Sequence, residues 1–464
     1  MSEKLDILVA MLFVVLSSGY LKAQVTVVDI IWLGPRAGNS LSPHGLVVDT
    51  ILGCIYVANS DTRNISVIEG TSNEVVAVIP IGESPCHLCI DQNTHLIYVT
   101  NNNRISVIDG MSNLVIDTIP LNYSPGGIAF NSNNNCIYVT ANPTWDTGYV
   151  FVSVSVIDGL TNCVVDTVAI SDCYGSIAVN PITNRIYVLG AKYWPTRYFL
   201  YVIDGTNNSI VDTVAVGEGP QGIAVNSNAN RIYVANNISN SVYTINGISD
   251  SVIYALAVSS YPYDVCINPN TNHIYVTHYY CYPSPSNIVS VIDGATNSVV
   301  TTIVSGNCPR SVSVNPNINR IYVANEGSNN VAVIDGVSNS VVDIVPVGEK
   351  PYGIDVNPEN NRVYVTCHEN GTVYVLEDRI GAEEKSKSKT QNAKLEIYPN
   401  PFYSHIAIKG TKNEVAVYDL SGKLIGRIKN GTWNGKNLDG KEIQSGIYFL
   451  KAKGYKPVKV VKVK

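Results

Sequence analysis

Apolar residues along this chain recur as a triplet, Ile-Tyr-Val, that is set between polar turns. The eight copies begin at Ile55, Ile97, Ile137, Ile186, Ile232, Ile274, Ile321 and Val363. Successive copies are 42, 40, 49, 46, 42, 47 and 42 residues apart. Short β-branched and aromatic runs between turn residues are typical of strands. A period of this length is that of a four-stranded propeller blade and not of a helical repeat. The pattern therefore predicts an all-β repeat protein.

Each full period contains four strand patterns, A to D, as in Gly222–Asn226 for strand A and Arg231–Asn236 for strand B. Residues 24–31 look like a strand D that lacks the three strands before it. The last period contains strands A to C and ends near Glu377. One strand at the start and three at the end complete one blade, which removes an unpaired edge. We therefore predict an eight-bladed β-propeller closed by the N-terminal strand.

One position varies strongly between the repeats, namely the residue after the proline that opens strand A. Its occupants are His44, Cys86, Gly126, Gly175, Gln221, Tyr263, Arg310 and Tyr352. Because strand A is the innermost strand of a blade, these residues should ring one end of the central channel. The candidate residues of this channel mouth are His44, Gln221, Tyr263, Arg310 and Tyr352.

Three repeats are lengthened between strands B and C, at residues 141–151, 191–199 and 279–287. These insertions should lie on the same face as the channel mouth, and they are rich in aromatic residues. The candidate binding residues are Trp145, Tyr149, Tyr193, Trp194, Tyr198, Tyr279, Tyr280 and Tyr282. Exposed tyrosine and tryptophan suit partner recognition. The alternative is that the rings only cap the blades and pack on one another.

Other segments flank the repeats. Residues 1–23 have an apolar stretch and a small residue before a possible cleavage site, which predicts a secretory signal peptide. The repeats then define a propeller at 24–378, and the polar run at 379–393 indicates a linker. Alternating patterns return in 394–464, at 395–398, 405–409, 414–418, 447–452 and 458–463, and predict a small β-sandwich. No stretch after the signal reaches the roughly 18 apolar residues of a membrane span.

The net charge of −6 hides two oppositely charged parts. From Lys394 to Lys464 there are 14 Lys and Arg against 5 Asp and Glu, so the rest of the chain is strongly acidic. An acidic body argues against a nucleic-acid partner, because phosphate binding needs a basic surface. The sequence offers no ligand set for a metal or a cofactor, and none is predicted.

The ten cysteines do not form an obvious disulfide framework. Cys89 and Cys266 occupy a strand A position held elsewhere by alanine, so they are interpreted as small core residues. Cys86 and Cys89 lie three apart on a strand and point to opposite faces, which disfavours a bridge between them. The best candidate pair is Cys281 with Cys308, because both lie in loops near the junction of blades six and seven.

The strand B motif carries a family resemblance. Tyr98-Val99-Thr100-Asn101, with close variants at 56–59, 233–236 and 322–325, resembles the YVTN β-propeller family over about residues 24–378. The resemblance implies a surface-layer or cell-surface protein. That family commonly has seven blades, so seven is the alternative to our count. No catalytic residues come with the resemblance, because the matching motif is structural.

The C-terminal segment resembles a type IX secretion sorting domain. The matching motifs are Tyr398–Phe402, Tyr418–Lys423, Trp433–Gly435, Gly440–Lys441 and Gly446–Phe449. The resemblance implies that export machinery recognises this domain and carries the protein through a Gram-negative-type envelope. It also implies later removal of the tail in or near the linker.

Three functions remain open from the sequence. The first is a non-catalytic binding or adhesion module that recognises a protein or glycan on a cell surface. The second is a structural surface-layer subunit whose aromatic loops make lattice contacts. The third is an enzyme of the propeller lactonase, lyase or quinoprotein kind, which would need convergent polar groups. Its candidates are His44, His87, Asp264, Arg310 and Asp355.

Overall fold

A computed structural model describes the chain over residues 25–33, 42–141, 152–170, 173–193, 196–379, 396–398, 404–409, 415–419, 423–428, 432–437, 439–452 and 458–463. The predicted signal peptide and most of the predicted linker lie outside these residues. Contacts divide the chain into two compact units, with the division between Gly381 and Ala382. Within the described residues, every regular element is a β-strand.

The first unit begins with a single strand, β1 (Val25–Trp32), and continues with regular groups of four. Blade one contains β2 (Pro43–Asp49), β3 (Cys54–Asn59), β4 (Asn64–Glu69) and β5 (Glu74–Pro80), and blade two contains β6 (Pro85–Asp91), β7 (Leu96–Asn101), β8 (Arg104–Asp109) and β9 (Leu114–Pro120). Blade three contains β10 (Pro125–Asn131), β11 (Cys136–Ala141), β12 (Val152–Asp158) and β13 (Cys163–Ile170). Blade four contains β14 (Cys173–Asn180), β15 (Arg185–Tyr193), β16 (Thr196–Asp204) and β17 (Ser209–Ala215). Each group forms one antiparallel sheet in chain order.

The remaining blades repeat this order, and the last one lacks a strand D of its own. Blade five contains β18 (Pro220–Asn226), β19 (Arg231–Asn236), β20 (Ser241–Asn246) and β21 (Ser251–Ala257), and blade six contains β22 (Pro262–Asn268), β23 (His273–His278), β24 (Ile288–Asp293) and β25 (Ser298–Val304). Blade seven contains β26 (Pro309–Asn315), β27 (Arg320–Asn325), β28 (Asn330–Asp335) and β29 (Ser340–Pro346). Blade eight contains β30 (Pro351–Asn357), β31 (Arg362–Cys367) and β32 (Thr372–Asp378). The inner strands of neighbouring blades contact one another around the whole ring, and β30 contacts β2.

The N-terminal strand closes the ring. β1 pairs antiparallel with β32, from Val25 opposite Asp378 to Trp32 opposite Thr372, and completes a sheet in the order β1-β32-β31-β30. Ile31 is 5% exposed and lies in a core cluster with Val373 and Val375 of β32. The prediction of eight blades closed by the N-terminal strand is confirmed.

Strand B is the most deeply buried strand of each blade. The tyrosines of the eight Ile-Tyr-Val triplets are 0–1% exposed, and their apolar neighbours are 0% exposed. Both faces of the sheet pack on adjacent blades, so the apolar residues of this strand do not need to alternate with polar ones. Each buried aliphatic side chain contributes about 1.5–3 kcal/mol relative to exposure. The recurring triplet is therefore explained by packing.

Recurring polar groups join the blades on the face opposite the channel mouth. The asparagine ending strand A donates to the asparagine before strand B of the next blade, as in Asn131 Nδ2 to Asn184 Oδ1 at 2.7 Å and Asn226 Nδ2 to Asn272 Oδ1 at 2.8 Å. The acceptor asparagines have positive φ, 55° at Asn184, which asparagine tolerates well. Between blades one and two, a 2.8 Å contact of Asp49 Oδ2 with His95 Nδ1 takes this place.

The second unit has two small sheets around one core. Its strands are β33 (Glu396–Tyr398), β34 (Ile406–Lys409), β35 (Val415–Tyr418), β36 (Leu424–Ile428), β37 (Thr432–Trp433), β38 (Gly446–Ala452) and β39 (Val458–Lys462). The sheets are ordered β33-β34-β37 and β36-β35-β38-β39. Ile406 of the first sheet and Leu450 of the second belong to the same buried cluster. The sequence missed β36, which Gly426 and Arg427 interrupt, and β37, which is only two residues long.

Candidate binding site at the channel mouth

The turns before strand A and the loops after strand B lie at the same edge of each blade. The register shows this directly, because Pro220 at the start of β18 pairs with Asn236 at the end of β19. We call the side of the ring that carries these turns and loops the mouth face. Since its residues are not used in the inter-blade asparagine contacts, they are free to differ between blades.

The threonine of strand B fixes the main chain of the mouth residue in the following blade. Thr277 Oγ1 donates to the Arg310 carbonyl oxygen at 3.0 Å, and Thr366 Oγ1 donates to the His44 carbonyl oxygen at 3.2 Å. Neighbouring inner strands also approach closely, since a Cβ on Gly222 would lie 2.4 Å from the Tyr263 carbonyl oxygen. The mouth residues therefore stand on a rigid base.

Arg310 lies at the centre of an aromatic cluster formed by three blades. Its guanidinium carbon is 3.7 Å from the ring centre of Tyr352, 4.8 Å from that of Tyr279 and 5.7 Å from that of Tyr263. Its Nη1 also bonds Glu326 Oε2 at 2.8 Å, and the Tyr279 hydroxyl donates to the same oxygen at 2.9 Å. The Arg310 and Glu326 side chains are 15% and 17% exposed. Cation–π contacts gain strength when they are partly desolvated.

The row continues into blade one through His44. The His44 ring centre is 4.9 Å from that of Tyr352 and 5.1 Å from that of His368. Burial, followed by the nearby His368, His87 and Arg310, lowers the pKa of His44 to about 4. His44 is therefore neutral at pH 7 and can act as donor and acceptor. We call the row Tyr279, Arg310, Tyr352 and His44 the mouth arc.

Two cavities that share several bordering residues lie inside the mouth. A cavity of 310 Å³ is bordered by His44, Arg310 and Tyr352 of the mouth arc. A second of 510 Å³ is bordered by Gly126, Gly127 and Gln221 on the other side of the ring. Both cavities are also bordered by Gly45, His87, Tyr263 and Asp264. His44, Tyr263, Arg310 and Tyr352 thus border one cavity, and Gln221 borders the other.

Of the five polar residues weighed for catalysis, four border the 310 Å³ cavity and Asp355 does not. The Asp264 carboxylate accepts hydrogen bonds from the Ser311 hydroxyl at 3.2 Å and from the Val312 amide at 3.1 Å. Burial raises the pKa of Asp264, although these bonds oppose the shift. Within the described part of the chain, no three His, Cys, Asp or Glu side chains are grouped so as to hold a metal ion.

The aromatic insertions are described only in part. Trp145, Tyr149 and Trp194 lie outside the described residues. Tyr193 ends β15 and Tyr198 belongs to β16, because this insertion is a hairpin that extends the blade, with Tyr193 paired to Thr196. In blade six, Tyr279 joins the mouth arc, Tyr280 stacks on Tyr261 with ring centres 4.2 Å apart, and Tyr282 is 83% exposed. Blade six therefore shows both packing and exposure.

A disulfide supports this part of the mouth face. Cys281 is bonded to Cys308, with Cα atoms 5.4 Å apart, as the sequence suggested. Cys281 directly follows Tyr280, and Cys308 lies two residues before Arg310. The Cys308 amide also donates to the Ser286 carbonyl oxygen at 2.7 Å. The loop of blade six is therefore fixed to blade seven beside the mouth arc.

Sequence reasoning missed Glu326, His368 and Tyr261. Glu326 and His368 each directly follow strand B, in the position that Tyr279 holds in blade six. This position lies beside a residue that follows a strand A proline, Arg310 of the same repeat for Glu326 and His44 of the next repeat for His368. Comparing it across repeats would have found both residues. Tyr261 lies in the turn before strand A, where no repeat pattern distinguishes it.

The chain is similar to solved structures at low sequence identity. Hydrazine synthase of Kuenenia stuttgartiensis matches with a TM-score of 0.52 and 16% identity, over 75% of this chain and 100% of that chain. The dihydro-heme d1 dehydrogenase NirN in complex with DHE matches with a TM-score of 0.57 and 12% identity, over 88% and 80%. At these identities the likeness is one of fold. No curated protein matches the chain.

The C-terminal unit matches a protein family. Residues 396–463 fit the secretion system C-terminal sorting domain, which agrees with the motifs found in the sequence. Among the described residues, no helix has the length and apolar character needed to cross a bilayer. The chain thus ends in a sorting domain of the type IX secretion system, and it is exported to the cell surface or the extracellular space.

Proposed function

We propose that the exported propeller is a non-catalytic binding or adhesion module that recognises a protein or glycan on a cell surface through its mouth face. The observation that carries this proposal is the mouth arc, which spans blades six, seven, eight and one beside a cavity of 310 Å³. Rigid aromatic side chains and arginine contribute most to many interfaces. Because their positions are already fixed, little entropy is lost on binding.

The bonding of the polar residues favours binding over catalysis. Arg310 is engaged by Glu326, and the Asp264 carboxylate is engaged by Ser311 and Val312. A general acid or base needs an open path to a substrate proton. These groups instead shape the wall of the mouth and hold its aromatic side chains in place.

Two further observations support the proposal. Export places the mouth face where surface ligands are met, and the YVTN-like strand B motif resembles that of cell-surface propellers. The insertions of blades three, four and six, with Trp145, Tyr149, Tyr193, Trp194 and Tyr198 among their aromatic residues, are proposed to widen the same face. A surface-layer subunit would use this face for contacts between copies of the chain.

The test applies the purified exported chain to protein and glycan arrays and to cell envelopes. Tyr352→Ala should weaken retention about ten-fold, which corresponds to about 1.4 kcal/mol, because it removes the ring between Arg310 and His44. Tyr254→Ala is the matched control, since Tyr254 is 48% exposed on β21. Equal retention of wild type and Tyr352→Ala would contradict the proposal. Two-dimensional arrays of the chain alone in electron micrographs would favour the surface-layer function instead.

A further inference from the structure

A third cavity on the mouth face lies beside blade six, outside the mouth arc. This groove has a volume of 480 Å³, and the stacked rings of Tyr261 and Tyr280 border it. The two rings are nearly parallel, with an angle of 7° between them. Tyr279 and Tyr280 are consecutive, so Tyr279 contacts Arg310 while Tyr280 turns into the groove.

Apart from Ile288, the other residues around the groove are small and polar. They are Ser259, Ser260, Ser284, Ser286 and Asn287, and none of the described residues that border the groove is charged. Serine and asparagine offer donors and acceptors without a net charge. Such a wall can pair with many hydroxyl groups and gives no advantage to an anion or a cation.

The aromatic pair is held in place before any ligand arrives. Tyr261 has a φ of 60°, and its amide donates to Asn240 Oδ1 at 3.0 Å. The Tyr261 carbonyl oxygen accepts from the Tyr279 amide at 3.0 Å, and the Tyr280 carbonyl oxygen accepts from the Ser286 amide at 2.7 Å. The Cys281–Cys308 disulfide fixes the next residue along the chain. A left-handed backbone at tyrosine persists only where its surroundings enforce it.

We propose that this groove binds neutral sugar residues of a glycan. A pyranose ring has an apolar face of C–H groups and a rim of hydroxyls, and the groove offers an aromatic surface and a rim of neutral hydrogen-bonding groups. A peptide would more often require an apolar pocket or an exposed sheet edge. The inference rests on the proposed function, because it assigns a ligand class to part of the same mouth face.

The test measures binding of the full exported chain to labelled neutral hexose and N-acetylhexosamine hexasaccharides, with a uronic-acid hexasaccharide as the charged comparison. A neutral hexasaccharide should bind, and Tyr280→Ala should weaken this binding about ten-fold or more. Tyr280→Phe should retain it, because the stacked ring remains. Tyr254→Ala, which alters an exposed tyrosine outside the groove, should not change it.

The outcomes separate this inference from the proposed function. Loss of retention with Tyr352→Ala but unchanged sugar binding with Tyr280→Ala would overturn the sugar groove and leave the mouth proposal standing. Binding of only the uronic-acid sugar, or only of peptides on an array, would also overturn the groove. If neither Tyr352→Ala nor Tyr280→Ala alters any binding, both proposals fail. Circular dichroism of each variant shows whether its propeller is folded.

Discussion

The hydroxyl of Tyr322 donates a hydrogen bond to Asp378 Oδ2, 2.8 Å away, across the interface of blades seven and eight. Tyr322 is 0% exposed and Asp378 is 2% exposed. Burial, followed by the charge of Asp378, raises the pKa of Tyr322, so the phenol keeps its proton. Asp378 also pairs with Val25 of β1. The repeated tyrosine of blade seven is thus linked to the strand that closes the ring.

Replacing Tyr322 by phenylalanine should lower stability more than the same change in another blade. The variant removes the Tyr322 hydrogen bond from a buried carboxylate that also lies 3.8 Å from Arg320 Nε. Loss of a hydrogen bond to a charged group costs about 1.5–3 kcal/mol. Tyr56→Phe is the matched control, because Tyr56 is equally buried and its hydroxyl donates to an uncharged group, the Gly110 carbonyl oxygen, at 3.3 Å. Loss of the Tyr56 hydrogen bond should lower the free energy of unfolding by about 0.5–1.5 kcal/mol. Urea unfolding of the two variants measures both decreases, and equal decreases would argue against a special role of Asp378.

A charge on the buried face of β1 should open the ring. Ile31→Asp removes a core side chain and buries a carboxylate among Val373 and Val375, at a cost of about 3–5 kcal/mol. Ile30→Asp is the control, because Ile30 is the next residue and is 41% exposed. The melting temperature should fall only for Ile31→Asp. Size-exclusion chromatography should also show oligomers of that variant, since an uncovered β32 presents an open edge.

If Ile30→Asp melted as low as Ile31→Asp, closure would not depend on the buried face of β1. Closure of the ring would then have to be attributed to main-chain pairing with β32 alone.

The ring could be predicted from the sequence because its information is local and repeated. Each Ile-Tyr-Val triplet is constrained by the same neighbours, so the eight copies report the same fold eight times. The single strand at 24–31 and the three strands ending near Glu377 also predicted that the N-terminal strand closes the ring. In the C-terminal unit, β37 was missed because Thr432 and Trp433 alone do not form a pattern.

The mouth could be located from the sequence but its contacts could not. The variable position after the strand A proline identified Arg310 and Tyr352, yet their 3.7 Å contact depends on side chains that meet from different blades. The residue before the strand A proline has a left-handed backbone in several blades, but only in blade six, among the described residues, is it a tyrosine that stacks on another ring, Tyr280. Repeats report what the blades share, whereas the mouth contacts arise where neighbouring blades differ.

Asp355 should make the propeller less stable as the pH rises. Burial raises the pKa of Asp355 to about 6, from about 3.9 in an unfolded chain. The folded state therefore binds more protons between these values, so stability falls as the pH rises from about 4 to 6. Asp355→Asn should then raise the free energy of unfolding at pH 7.5 by up to about 3 kcal/mol. The gain is smaller if water in the channel solvates the Asp355 carboxylate. At pH 3.5 the two proteins should melt alike.

His44 has the opposite pH dependence over nearly the same range. Its folded pKa is about 4, below the unfolded value of 6.5, so its contribution rises with pH from about 4 to 6.5. The contributions of Asp355 and His44 therefore oppose each other in the wild type between about pH 4 and 6. The melting temperature of Asp355→Asn should rise more steeply with pH over this range than that of wild type, because the loss of stability caused by Asp355 is removed. Equal slopes for the two proteins would contradict the assignment.

Reduction of the Cys281–Cys308 disulfide should loosen the blade six loop and leave the rest of the ring folded. Opening a bridge between residues 27 apart removes at most about 3–4 kcal/mol by the loop-entropy model. Chymotrypsin should then cut after Tyr280 or Tyr282 at least several-fold faster in the presence of reductant, because the loop is no longer fixed to blade seven. Cys163→Ala is the control, since Cys163 is exposed on β13 and free, and it should show the same response to reductant as wild type. Cys281→Ala should be cut rapidly with or without reductant. Slow cleavage of Cys281→Ala would show that the contacts of Tyr279 with Arg310 and of Tyr280 with Tyr261 hold the loop without the disulfide.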